Sequence, residues 1–306
     1  MSKKEPLKVL IMGLRSAGKT SLVKNIFEGR EWEEIKNLKP TEFVETVEYR
    51  YRGLLKVTVF DAGGQKQFIY SYFTELWSNK IFGNVGVFIW VIDSSEPELF
   101  EEAKAELKKA MNYLREFSPG ARKFLIASKY DKHKKTLDEI RKEFKDMELE
   151  EISATSIPLG IAREIICTII DYSLMDRYKE RVKKLEKILM RFNKNENAIM
   201  SMIVNKEDGL EIASSISIKK INPKLKYISM KTLYAPMEKA QSIFESMEHE
   251  KCDFIVSHLG NYFIVVYNLE ERVVLISVLE ERNFKIASML KRLGGMKDQI
   301  IKILEE

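Results

Sequence analysis

The sequence predicts an α/β domain with a mostly parallel sheet and helices on both faces, followed by a smaller α+β domain. Three observations carry this. Strand and helix patterns alternate from residue 7 to residue 174, the order that builds a parallel sheet. Beyond residue 176 the order becomes helix, hairpin, helix, three-strand meander, helix, which packs helices on an antiparallel sheet. Between the first strand and the first helix lies a glycine loop, residues 13–21. The expected domains are 1–176 and 177–306.

That loop is a complete G-x-x-x-x-G-K-T motif with Gly13, Gly18, Lys19 and Thr20 in place. Val9–Met12 before it reads as a buried strand and Leu22–Phe27 after it as a helix. Such a unit aims backbone N–H groups and a helix N-terminus at one anion. The residues expected around a phosphate chain are Gly13, Arg15, Ser16, Ala17, Gly18, Lys19, Thr20 and Ser21. Lys19 supplies a point charge to the β- and γ-phosphates, and the Thr20 hydroxyl is a Mg²⁺ ligand. A plain glycine turn would not need the whole motif in this setting.

Composition narrows the partners. At 306 residues the chain can bury two cores. Its 51 basic and 46 acidic residues are interspersed and leave a net charge of only +5, without a Lys/Arg block carrying aromatics, so no nucleic-acid partner is expected. Cys167 and Cys252 lie inside apolar patterns and read as buried reduced thiols of a cytoplasmic protein. His133, His249 and His258 form no spaced pair, so no zinc site is expected. No apolar run reaches bilayer length; the longest, Val85–Ile92, reads as a buried strand. Met1–Glu5 does not read as a secretory signal and lacks the glycine that myristoylation needs, and the C-terminus has no prenylatable cysteine. A membrane would be reached only through a partner.

In order, residues 7–12 read as the first strand and 19–29 as the first helix, ended by Gly29-Arg30. Residues 31–42 show no period and contain Pro40-Thr41, a loop. Phe43–Tyr49 alternates as a strand, Arg52-Gly53 turns the chain, and Leu54–Phe60 returns antiparallel. The return strand ends in Asp61-Ala62-Gly63-Gly64-Gln65. An acidic residue there can hold Mg²⁺ directly or through a water, Gly64 can bring a backbone N–H to a γ-phosphate, and Gln65 can orient an attacking water. Phe68, Tyr70, Tyr72, Phe73 and Trp77 follow no single stripe and divide between core and a partner surface. Val85–Ile92 is a central strand, Pro97–Phe117 an amphipathic helix with Pro97 at its first position, Lys123–Ala127 the next strand and residues 160–174 the closing helix. Ser128-Lys129-Tyr130-Asp131 follows that strand. The Asp131 carboxylate can accept from guanine N1–H and the 2-amino group, donors adenine does not present together, and the Lys129 stem can lie along the base.

Taken in this order, the loop, Thr41, Asp61–Gln65 and Ser128–Asp131 resemble the Ras-like small GTPases. Pro40-Thr41 through Val47-Glu48-Tyr49 to Gly63-Gly64-Gln65 resembles their Arf branch. The resemblance implies that Thr41 joins Thr20 on Mg²⁺ only when a γ-phosphate is present, with Asp61 supporting through water. Two switch loops would then order in the triphosphate state and relax after hydrolysis. It makes Lys19 and Gln65 the catalytic residues. Ile152-Ser153-Ala154-Thr155 resembles the family's Ser-Ala-Lys base loop, implying that Ser153 and Ala154 meet the guanine. Ser128 replaces the family's Asn, which ties the loops together. Arg15 occupies a position close to the γ-phosphate and reads three ways: an arginine finger in cis, an obstacle to Gln65, or a solvated side chain.

In the second half, Asp176–Phe192 is a charged helix with Val182, Leu185, Leu189 and Phe192 on one face, and no Pro/Gly/Ser linker precedes it. Ala198–Val204, the turn 206–209 and Leu210–Ser217 form a hairpin. Lys231–Glu248 is a helix with Leu233, Met237, Ala240, Ile243, Phe244 and Met247 at helical spacing. Cys252–Leu259, Tyr262–Leu269 and Val273–Val278 are strands; Phe284–Leu293 and Met296–Leu304 are helices parted by Gly294-Gly295. Ile199–Asn205 leading into Asp208–Ser215 resembles the roadblock fold.

The two halves together resemble the Rag/Gtr GTPases, with Met12–Thr20, Tyr72-Phe73-Thr74, Ile81–Val85 and Thr155-Ser156-Ile157 fitting that family. This implies a switch that binds GTP and GDP with Mg²⁺, hydrolyses GTP slowly and recruits partners by nucleotide state. Regulators and effectors would meet residues 31–42 and 65–78. The roadblock domain would pair with itself or with another subunit. Two rivals stand beside this reading. One is a nucleotide-bound scaffold with negligible turnover, which Arg15 and Ser128 permit. The other is an Arf-like trafficking GTPase, disfavoured by the lack of an acylated N-terminal helix and by the extra domain.

Overall fold

The computed structural model describes residues 7–39, 41, 43–216, 231–246, 252–283 and 285–306. Met1–Glu5, Pro40, Ser217, Met247, Glu248, His249 and Phe284, named above, lie outside these residues, and so do the side chains of Leu233, Ile243 and Phe244. The chain divides into two compact units, Met1–Tyr49 with Leu55–Leu174, and Arg50–Leu54 with Met175–Glu306.

In the first unit, β1 (Leu7–Gly13), β2 (Val44–Tyr51), β3 (Leu55–Ala62), β4 (Val85–Asp93), β5 (Arg122–Ser128) and β6 (Glu151–Ala154) form one sheet ordered β2-β3-β1-β4-β5-β6. β1 runs parallel to β3 and β4, β4 to β5, and β5 to β6. β2 is joined to β3 by residues 52–54, a connection too short for anything but a hairpin. All of β1, and all of β4 except Gly86, is buried, because helices cover both faces of a parallel sheet. These helices are α1 (Lys19–Phe27), α2 (Trp32–Ile35), α3 (Lys66–Tyr72), α4 (Glu75–Phe82), α5 (Phe100–Phe117), α6 (Leu137–Glu143) and the first part of α7 (Ala162–Glu196). Leu10, Met12, Phe88, Trp90 and Leu125 of the sheet share one core with Phe100, Leu107 and Leu114 of α5. Gly13 ends β1 at φ +150, and a Cβ there would stand 2.1 Å from the Val91 carbonyl oxygen. The turn out of β1 is therefore closed to any other residue.

Three local readings change. The stretch 66–82 folds as α3 and α4, two short helices turning against each other, which is why no single stripe ran through it. Tyr72 is core, Phe68, Phe73 and Trp77 pack against the core, and Tyr70 stays 59% exposed. The sequence reading also took residues 31–42 as a loop throughout, where Trp32–Ile35 form α2, and passed over α6, although Thr136 and Glu139 close a reciprocal capping box at its start.

In the second unit, β7 (Ala198–Asn205), β8 (Glu211–Ile216), β9 (Phe254–Leu259), β10 (Tyr262–Glu270) and β11 (Val273–Glu280) form an antiparallel sheet ordered β8-β7-β11-β10-β9. α8 (Lys231–Ser246) contributes Tyr234 and Met237 to a core with Met202, Val204, Val266, Val274 and Ile276. Leu185, Leu189 and Phe192 of α7 are buried, and Val182 is half-buried. The helices expected at 160–174 and 176–192 are one, α7; nothing between them breaks the backbone. Likewise α9 (Ile286–Glu305) runs through Gly294-Gly295. Its buried Met289, Leu293, Ile300 and Leu304 continue one stripe across the pair, which outweighs a cost of about 1 kcal/mol per glycine. Cys167 is buried, whereas Cys252 is only half-buried. Among the described residues no helix is long and apolar enough to cross a membrane.

Asp208 is buried within this unit. It accepts from the backbone N–H of Leu210 at 2.8 Å and of Arg52 at 2.7 Å. Burial nevertheless dominates and pushes its carboxyl up to about 6 from 3.8. The folded carboxyl thus keeps its proton to higher pH than the unfolded chain does. Its contribution to stability falls as pH rises from about 4 to about 6 and is flat above. In denaturant titrations, Asp208→Asn is expected to flatten the pH slope over that window relative to the parent chain; an unchanged slope would contradict this.

Candidate functional site

The C-terminal ends of β1, β3, β4 and β5 open onto one cleft of about 1430 Å³ in the first unit, the usual ligand position on an α/β sheet. Leu14, Arg15, Ser16, Gly18, Lys19 and Thr20 form its floor. Gly13 and Ala17 are buried and meet cleft residues through their carbonyls, to Lys19 and Ser128. Gly18 sits at the N-cap of α1 without a side-chain cap, so the helix's first N–H groups are left for a ligand. Ser21 lies in the first turn of α1 and also lines the cleft. Lys19 is buried, with its Nζ donating to the carbonyls of Gly13 at 3.0 Å and Leu14 at 2.8 Å. Burial lowers its pKa to about 8, opposed by the nearby Asp61 charge.

Three oxygen donors converge beside Lys19. The Thr20 hydroxyl is 2.6 Å from that of Thr41 and donates to Asp61 Oδ2 at 2.5 Å. The Thr41 hydroxyl lies 3.3 Å from the same Oδ2. The other carboxylate oxygen, Asp61 Oδ1, is buried without a hydrogen-bond partner among the described residues. Burial raises the Asp61 pKa, with the Thr20 hydrogen bond and Lys19 opposing. Two hydroxyls and a carboxylate with an unused oxygen are a donor set that fits Mg²⁺. Gly64 lies against the loop: a Cβ there would come 2.4 Å from the Leu14 carbonyl oxygen and 2.5 Å from Arg15 N. Gln65 lines the cleft at the N-cap of α3, and Arg15, on the cleft floor, is exposed.

At the far end, Ser128 supplies the tie for which the sequence offered no asparagine. Its Oγ lies 2.6 Å from the Ala17 carbonyl and 3.0 Å from that of Ile92. Lys129 is left-handed (φ +53), and its Nζ pairs with Asp93 at 2.6 Å. Asp131 Oδ1 accepts from Ser156 Oγ at 2.6 Å. Ser153 and Ala154 are not part of this cleft. Both lie inside β6, where Ala154 pairs with Ala127 and Ser153 Oγ bonds Glu151 at 2.6 Å. Thr155, Ile157 and Pro158 form the wall instead. The chain thus reaches the cleft only where β6 ends, later than the Ser-Ala-Thr likeness placed it. Ser156 and Asp93 were missed. Thr155-Ser156-Ile157, noted above only as family-like, held the signal for Ser156.

Comparisons with known proteins bear on the family. The family model for the Gtr1/RagA G protein conserved region matches residues 8–233. GTP-binding protein GTR1 of Saccharomyces cerevisiae is 28% identical over 233 residues, covering 70% of this chain and 71% of that one. GTP-binding protein gtr1 of Schizosaccharomyces pombe is 25% identical over 305 residues, covering 92% and 96%. Ras-related GTP-binding protein A of Dictyostelium discoideum is 30% identical over 277 residues, covering 85% and 88%. Among solved structures, Myxococcus xanthus MglB is similar over 40% of this chain and 90% of its own, at 17% identity and a TM-score of 0.35. With the family model spanning most of the sequence, the chain belongs to the Gtr1/RagA family of G proteins and is a GTP-binding switch with the GTPase activity that the family implies.

Proposed function

We propose that this chain binds Mg-GTP in the cleft of its first unit, hydrolyses it slowly to GDP, and presents residues 31–42 and 65–78 to partners according to nucleotide state. Its second unit, which resembles the roadblock fold in sequence, would assemble it with a copy of itself or with a second subunit. The observation that carries the reading is the convergence of Thr20, Thr41 and Asp61 oxygens within 2.5–3.3 Å, beside a buried lysine at the head of α1.

Thr20 and Thr41 would hold Mg²⁺, with Asp61 behind them through water. The ion would neutralise charge on the β- and γ-phosphates. Lys19 and the loop N–H groups stabilise the charge that grows on the departing phosphate. Gln65, held at the start of α3, orients the attacking water. Asp131, steadied by Ser156, reads the guanine, and Lys129 covers the base.

Phosphate release under single turnover tests this. Gln65→Leu is expected to keep nucleotide affinity and to lower hydrolysis ~10²-fold, the scale of losing an oriented reactant. Hydrolysis at the parent rate would reject the role of Gln65. A parent chain that binds GTP without turnover would favour the scaffold reading.

A further inference from the structure

Tyr72 is fully buried in the core of the first unit, yet its hydroxyl faces backbone. The O–H lies 2.7 Å from the Phe43 carbonyl and 3.1 Å from the Gly63 carbonyl. Gly63 N–H donates to the same Phe43 carbonyl at 2.6 Å. Phe43 takes a left-handed backbone, φ +59, which aromatic residues rarely adopt. Its ring lies against Phe68, Tyr72 and Trp77 at centroid distances of 6.0, 5.3 and 4.6 Å. Gly63 has no room for a side chain: a Cβ would stand 2.7 Å from Phe43 O and 2.8 Å from Thr41 O.

One phenol therefore stands between two loops, its single hydrogen given mainly to the nearer Phe43 carbonyl and bridging from α3, which follows the Gly63 loop. The first carries Thr41, two residues before Phe43; the second carries Gly64 and Gln65, directly after Gly63. We propose that Tyr72 is a positioning residue whose hydroxyl ties the Thr41 loop to the Gly64-Gln65 loop in the triphosphate-bound arrangement. The inference rests on the guanine-nucleotide reading above. The knot coexists with Thr41 hydrogen-bonded to Thr20 at 2.6 Å, so the two hydroxyls that would hold the cation are already side by side. When the loops part, the Phe43 backbone is free to leave its strained conformation and the Tyr72 hydroxyl loses its nearer acceptor, the Phe43 carbonyl. The bond thus favours the closed arrangement alone, and only a ligand that closes the loops feels it. A phenylalanine ring would fill the same space, so packing does not account for the oxygen.

The test is the dissociation rate of fluorescent GDP and of a fluorescent non-hydrolysable GTP analogue from the full chain and from Tyr72→Phe. The variant is expected to release the analogue about tenfold faster, the effect of one buried hydrogen bond, and to release GDP within about twofold of the parent. Tyr113→Phe is the control. Its hydroxyl donates to the Phe73 carbonyl at 2.6 Å in the same aromatic group but joins no cleft loop, and it should change neither rate. Equal release of the analogue from Tyr72→Phe and parent overturns the inference while leaving the proposed function intact. Equal acceleration of GDP and analogue, or the same acceleration in Tyr113→Phe, reduces Tyr72 to packing and also overturns it. A parent chain that binds neither nucleotide rejects the proposed function, and the inference with it.

Discussion

Asp131→Asn is expected to weaken GDP and GTP binding by ~10³-fold and to admit xanthine nucleotides in their place. The argument is one of donors and acceptors. Asp131 Oδ1 accepts from Ser156 Oγ at 2.6 Å, which fixes the carboxylate's orientation. A guanine edge offers two N–H donors, and an ionised carboxylate is acceptor-only. In the asparagine variant one acceptor becomes an NH₂ facing a donor, leaving polar groups on both sides unpaired against each other. Xanthine presents a carbonyl where guanine has its amino group, so the swapped amide finds a partner again. Competition between GDP and XDP for a fluorescent nucleotide measures both arms. GDP affinity within tenfold of the parent would remove Asp131 from base recognition.

Gly64→Ala is expected to leave GDP binding nearly intact but to lower single-turnover hydrolysis by ~10²-fold or more. The new Cβ would sit 2.4 Å from the Leu14 carbonyl carbon and oxygen and 2.5 Å from Arg15 N. These are main-chain atoms of the phosphate loop, braced by the Lys19 hydrogen bonds to Gly13 and Leu14, so they cannot swing aside as a flexible side chain would. The segment beginning at Gly64 must retreat instead, and Gln65 retreats with it. A displacement of roughly 1 Å in a group that orients a reactant is enough for the loss stated. Rapid-quench measurement of one turnover, beside GDP affinity, decides the matter; an alanine variant that hydrolyses at the parent rate would show that Gln65 does not act from this position.

What could be read in the sequence was what chemistry demands locally. The phosphate loop is legible because its glycines, lysine and threonine are contiguous and each answers a separate requirement. Thr41 and Asp61 were legible only through the order of motifs, since nothing local says that a threonine in a loop will lie 3.3 Å from a carboxylate at a strand end. The point where this segment enters the cleft was placed too early because Ser153 and Ser156 stand three residues apart in similar company. Choosing between them needs the length of β6, which sheet pairing decides. The aromatic run 68–77 could not be sorted for a related reason: two short helices present different faces, and the turn between them leaves no periodicity. In the second unit the strands were legible from alternation, but Gly294-Gly295 was read as a break. A pair of glycines says what a helix costs, and only the packed stripe from Met289 to Leu304 says whether the cost is met.

Ser128 carries a consequence in the arithmetic of protons. A serine hydroxyl has a single hydrogen to give, and here two carbonyls lie within reach of it, Ala17 from the phosphate loop and Ile92 from β4. An asparagine amide would bring two hydrogens and could fasten both at once. The hydroxyl must alternate, or divide one hydrogen between unequal partners, with the shorter contact on the Ala17 side. The phosphate-loop end of the cleft and the end carrying Lys129 and Asp131 are thus fastened here by one hydrogen where two could have served.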